Sequence, residues 1–136
     1  MFNSGKICPY CGKETEYIDS SYIYGKSYGM VYICKPCDAY VGVHRGTNIA
    51  LGSLANEHLR NARKKAHYWF DPIFKTGLIH EIFKEEHTDL NDRKKAYLWL
   101  SKQLEIDTEL CHIAMFNLEQ CNEVIKICMP LIKQTT

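Results

Sequence analysis

Residues 7–38 read ICPYCGKETEYIDSSYIYGKSYGMVYICKPCD, and the two ends of this stretch are near-copies of one another. ICPYCG (7–12) and ICKPCD (33–38) each set a Cys-x-x-Cys pair behind an isoleucine, with a proline inside the pair. A Cys-x-x-Cys step lets two sulfurs of one tight turn face a single ion, and structural zinc takes four such ligands in a tetrahedron. Gly12, directly after Cys11, suits the left-handed backbone position that such a turn often needs. The spacer between Cys11 and Cys34 is rich in Tyr, Ile and Val, with Gly25 and Gly29 as turn points, which predicts a β-hairpin. AYVGVH (39–44) predicts a further strand. Cys8, Cys11, Cys34 and Cys37 are therefore expected to hold one Zn2+ in an N-terminal zinc ribbon. Four buried thiols, or one redox-active pair, are the competing readings; the redox pair leaves the second Cys-x-x-Cys without a role.

The rest of the composition narrows the setting. At 136 residues, 46% of them apolar and 24% charged, the chain has the make-up of one soluble globular domain, or two very small ones sharing a core. Its seven cysteines argue for metal binding or core burial in a compartment that keeps thiols reduced. No apolar run approaches the ~18 residues of a membrane span, and MFNSGKICPY lacks a signal-peptide core. A cytoplasmic protein that does not enter membranes is expected. The net charge of +1 hides a local basic island. Arg60, Arg63, Lys64, Lys65 and Lys75 face only Glu57 and Asp71 across residues 51–80, enough for a local phosphate-facing patch.

Seven of the nine tyrosines, Tyr10, Tyr17, Tyr22, Tyr24, Tyr28, Tyr32 and Tyr40, crowd into the first 40 residues. A thin hairpin cannot bury them all. Those left exposed would form a platform for stacking single-stranded bases, worth roughly 1–3 kcal/mol per base. The plainer reading is strand propensity and packing against the helices. Lys26, Lys35 and Arg45 interleave with the tyrosines and keep the platform reading open.

From Leu51 the apolar period changes. Leu51, Ala55, Leu59, Ala62, Ala66, Trp69 and Phe70 fall on one helical arc, with Leu54 and His58 at its margin. Asn56, Arg60, Arg63, Lys64 and His67 occupy the opposite side, a basic stripe for phosphate or for solvent. Asp71-Pro72 predicts a cap and a new short helix ending at Gly77. Thr88 is expected to cap a helix with Leu90, Tyr97, Leu100 and Leu104 inward, and Asp107 to cap one over TELCHIAMF. Asn117 and Gln120 predict a capping-box start for a last helix. The last three helices could form a helix-turn-helix-like unit, but they lack a basic recognition helix.

Cys121 and Cys128 sit on the apolar stripe of that last helix, as small hydrophobes. Cys111, His112 and Cys121 could make a second metal site, at a spacing that matches no familiar arrangement. His44, His67 and Asp71 are the best trio for a metal-dependent nuclease. No nucleotide-binding glycine loop, hydrolase elbow or metalloprotease helix accompanies them, and an enzyme is not expected.

CPYCG, YGMVYICKPCDAYVGVHRGT, LGSLANEHLRNARKKAH, FDPIFKTG, AYLWLS and CHIAMFNLEQC together resemble a zinc-finger-containing family found largely in bacteriophages and prophages. The resemblance runs from about residue 7 to 128 and implies zinc at Cys8, Cys11, Cys34 and Cys37, without implying a reaction. It also implies that the helical half belongs with the ribbon. The expected architecture is α+β: a zinc ribbon (1–50) packed on a bundle of four to five helices (51–136), one integrated unit. The leading functional expectation is a phage or prophage accessory factor that binds nucleic acid, preferably single-stranded. Its contacts would be Tyr22, Tyr24, Tyr28, Lys26, Arg45, Arg60, Arg63 and Lys64. A protein–protein adaptor acting on a host or phage protein is the alternative, and a nuclease a distant third.

Overall fold

The computed structural model describes residues 5–84 and 90–134. The chain divides into two compact units, Met1–Arg60 and Asn61–Thr136. A small antiparallel sheet and a cysteine cluster in the first, and helices in the second, make it an α+β protein.

In the first unit, β1 (Glu16–Asp19), β2 (Met30–Cys34) and β3 (Ala39–Gly42) form one sheet in the order β1-β2-β3. Glu16 pairs with Ile33 and Asp19 with Met30; Cys34 pairs with Ala39 and Val31 with Gly42. The predicted hairpin is present, but its connection is not a plain loop. Ser21–Tyr24 form a single helical turn, α1. Gly25 closes it at φ 73° and returns its N–H to the Ser21 carbonyl, a conformation that favours glycine. Tyr22 and Tyr24 thus sit on a helical turn, not on a strand. Residues 31–34 of β2 are all buried, Tyr32 with its hydroxyl donated to the Asn48 carbonyl at 2.6 Å.

The chain leaves β3 through a turn and runs back beside it. His44 N–H donates to Ile49 O, Leu51 N–H to Gly42 O, and Tyr40 and Ala55 exchange both backbone bonds. Leu51 and Ala55, expected on a helix, therefore lie in this return segment, where their backbone is already bonded to β3. The helix starts later because Asn56 supplies the cap: its side-chain oxygen accepts from Leu59 N–H at 3.0 Å.

Helix α2 spans Glu57–Lys75 and passes through Pro72 without stopping. The predicted break at Asp71-Pro72 does not occur. Proline in a helix costs ~3 kcal/mol, but Phe70 and Ile73 on either side of it are fully buried, and Asp71 bonds to His67 instead of capping. Helix α3 (Ile79–Ile82) follows. Thr88 lies outside the described residues; the observed cap of α4 (Asp92–Leu104) is Asn91, which accepts from Lys94 N–H at 2.8 Å. Of its expected inward residues, Tyr97 and Leu100 are buried. Residues 108–116 form two 3-10 turns, Thr108–Leu110 and Ile113–Met115, where one helix was expected. Asp107 makes no capping bond, and Cys111, Ile113 and Phe116 are buried at a spacing a single helical face cannot supply. Helix α5 (Leu118–Gln134) opens on the predicted box: Asn117 N–H donates to Gln120 Oε1 and Gln120 N–H to Asn117 Oδ1. Cys121, Val124 and Cys128 face its core. No helix among the described residues is long and apolar enough to cross a membrane.

Candidate metal centre

The two Cys-x-x-Cys pairs are built as a repeat. In the first, Gly12 N–H bonds back to Cys8 O and Cys8 N–H to Lys13 O, closing a tight turn with Gly12 at φ 76°. In the second, β2 delivers Cys34, Asp38 N–H bonds to Lys35 O, and Asp38 takes the left-handed position at φ 50°. Gly12 and Asp38 hold the same place, one residue past the second cysteine of each pair. Asp tolerates this conformation better than most residues with a Cβ.

The four sulfurs of Cys8, Cys11, Cys34 and Cys37 all lie within 4.8 Å of one another. Cys11 Sγ and Cys34 Sγ, from different pairs, are 3.7 Å apart. Sulfurs about 2.3 Å from a zinc ion at tetrahedral angles would be about 3.8 Å apart. The donor set and its spacing thus fit Zn2+ as a closed structural site. Among the described residues this is the group of three or more metal-binding side chains that converges. Cys8 and Cys34 are buried, Cys37 half-buried and Cys11 exposed.

A backbone N–H around Lys13 holds the Cys11 thiol down to about 7. Loss of hydration and the neighbouring sulfurs push Cys37 up to about 12. Zinc binds thiolates, so at neutral pH it must displace the Cys37 proton at least, and below pH 7 the Cys11 proton as well. The sign follows: metal affinity rises with pH and falls with acid. A competition titration with a zinc-chelating dye should find affinity falling at least about tenfold for each unit by which the pH is lowered towards 7, and more steeply below 7. An affinity flat from pH 8 to 6 would mean that the thiols are not the ligands.

Arg60 supports the second knuckle. Its guanidinium donates to Asp38 O at 2.7 Å, Ala55 O at 2.8 Å and Asp38 Oδ2 at 3.2 Å, and lies 4.2 Å from the centre of the Tyr40 ring. The expectation that gave Arg60 to a nucleic acid missed this, because Asp38 lies 22 residues away in sequence. Arg63 is also engaged, its Nε donating to Phe116 O at 3.0 Å. Lys64 is exposed.

The remaining nucleic-acid candidates lie in the first unit. Tyr22, Tyr24 and Tyr28 are 62%, 54% and 72% exposed, so the platform reading has open rings to work with. Tyr24 meets Tyr28 and Tyr40 edge to face, at 5.6 and 6.3 Å between ring centres. Lys35 Nζ lies 4.5 Å from the Tyr22 ring centre and Lys26 Nζ 6.0 Å from that of Tyr28. Lys26 and Arg45 are exposed. Tyr17 and Tyr32, by contrast, pack on each other at 4.8 Å. In the second unit His67 donates from Nδ1 to Asp71 Oδ1 at 3.1 Å. The ring of His112 lies 5.4 Å from that of Tyr97, and burial pushes the Cys111 thiol up to about 12.

A family model described as a zinc-finger-containing domain, DUF3268, matches residues 4–130. No curated protein and no solved structure matches the chain.

Proposed function

This chain belongs to the zinc-finger-containing domain family, and from that premise we propose that it is a zinc-stabilised module that binds single-stranded nucleic acid. The zinc organises the ribbon and takes no part in a reaction; the module acts by binding, without catalysis. The observation that carries this reading is the cluster of Tyr22, Tyr24 and Tyr28, all more than half exposed and bordered by Lys26 and Lys35. Burying aromatic area is favourable, so three exposed rings beside the Lys26 ammonium, with Lys35 already paired to Glu16 at 3.6 Å, are better explained by a stacking ligand with phosphates than by packing. An exposed ring offers every base a π-face, which suits binding without base preference. We propose further that it serves as a small accessory factor of a phage or prophage.

The test is a low-salt titration with a fluorescent oligothymidylate. Tyr22→Ala and Tyr28→Ala are each expected to weaken binding roughly 5- to 150-fold, the equivalent of about 1–3 kcal/mol per stacked base, with bound zinc unchanged. Lys26→Ala and Arg45→Ala should each lower the salt slope by about one or less. Arg60→Ala is a poor probe, because it removes the support of Asp38 at the same time. Unaltered binding in the double tyrosine variant, or no binding at low salt, defeats the proposal. A nuclease-resistant protein captured through the same tyrosines would favour the adaptor reading.

A further inference from the structure

Lys64, Tyr68, Asp71 and Lys75 recur at three- to four-residue steps along α2, with His67 one turn before Asp71, and so share one face of it. With Trp69 they line an open cavity of about 480 Å3 in the second unit. That volume lies within the roughly 300–1,000 Å3 of small-molecule sites. Tyr68 is 70% exposed, a large aromatic left in water among the polar side chains of this face, while Leu59, Ala66, Phe70 and Ile73 of the same helix are buried. Trp69 meets it edge to face at 5.0 Å and 89°, which fixes the ring while leaving it open.

The charges around this plate are unevenly placed. Lys64 lies one turn before Tyr68, and Lys75 about two turns after it. Among the described residues neither lysine is ion-paired. The one carboxylate of the cavity, Asp71, is taken up by His67 at 3.1 Å. An apolar ligand would use the ring and ignore both ammonium groups. A simple anion would use the lysines and ignore the ring. A planar base carrying a phosphate uses both, with the phosphate directed to Lys64, away from Asp71.

We propose that this cavity binds a nucleotide, its base stacked on Tyr68 and its phosphate held by Lys64. The site shares no residue with the ribbon tyrosines and goes beyond the function proposed for them. Lys75 meets a neighbouring phosphate when the nucleotide belongs to a strand.

Trp69 is the reporter, because the other tryptophan, Trp99, is 6% exposed and buried in α4. The full-length zinc-loaded protein is titrated with AMP, with inorganic phosphate and with a short oligodeoxyadenylate while tryptophan emission is followed. AMP is expected to quench the emission saturably. Tyr68→Ala should abolish that quenching, Lys64→Ala should weaken affinity roughly fivefold or more, and Tyr22→Ala/Tyr28→Ala should leave it in place. Tyr68 is exposed, so its variant should keep the wild-type melting temperature. Oligomer binding that is tighter than AMP and loses the advantage in Lys75→Ala identifies a strand as the source; equal affinity identifies the free nucleotide. Quenching that survives Tyr68→Ala, is matched by inorganic phosphate, or never appears overturns the site. Those failures leave the ribbon proposal standing, because its oligothymidylate test uses different residues and a label on the ligand.

Discussion

Stripping the zinc is expected to unfold the first unit. The apolar cluster there consists of Cys8, Tyr32, Cys34, Ala39, Val41, Ala50 and Leu54, and two of its members are themselves ligands. So short a core cannot offset the chain entropy it must fix. Structural zinc in small modules contributes roughly 10–16 kcal/mol apparent, as much as the whole net stability of an ordinary domain. Cys34→Ser should have the same outcome as a chelator, since Cys34 belongs at once to the core, to the β2–β3 ladder and to the metal set. The check is the tyrosine band of the near-ultraviolet circular dichroism, to which seven of the nine tyrosines contribute from residues 1–40, together with the zinc count. Both should collapse in Cys34→Ser, and both should persist in Cys121→Ser, whose thiol is no member of the ligand group. A native tyrosine signal in zinc-free protein would show that the sheet stands without metal.

The metal centre was legible because its chemistry is local in sequence. Each Cys-x-x-Cys carries its turn with it, and the hairpin between the pairs follows from strand-forming residues. What could not be read is what distant partners decide. Leu51 and Ala55 fit a helical period as well as they fit the segment returning along β3; the bonds from Gly42 and Tyr40 settle the matter. Pro72 looks like a stop until Phe70 and Ile73 are seen buried on both sides of it. Arg60 looks like a free cation until Asp38 and Tyr40 come round to it. The capping box at Asn117 was legible for the reason the cysteines were: both halves of the motif lie within one turn. Tyr22 and Tyr24 leave the strands on the single turn of α1, and Tyr28 lies in the connection after it. That a thin hairpin leaves some of its tyrosines open was legible from their number, whereas the helical turn was not.

Phe70→Ala is expected to be the costliest single change in the second unit. The ring is fully buried, 4.6 Å from Tyr97 of α4 and 5.8 Å from Phe74 of its own helix, measured between ring centres. Truncation loses the transfer energy of the ring and leaves a cavity, together about 3–5 kcal/mol. In urea, with a slope of about 1–3 kcal/mol per molar for a small protein, the midpoint should fall by roughly 1–5 M. The same burial is what carries α2 past Pro72. Without Phe70 the ~3 kcal/mol cost of a proline inside the helix falls on weaker packing, so Lys75 and its neighbours should fray. Pro72→Ala should therefore recover more stability in the Phe70→Ala background than it adds to the wild-type protein, a coupling that a double-mutant cycle reads directly. Simple additivity of the two changes would mean that α2 continues through Pro72 for a reason other than the ring contact with Tyr97.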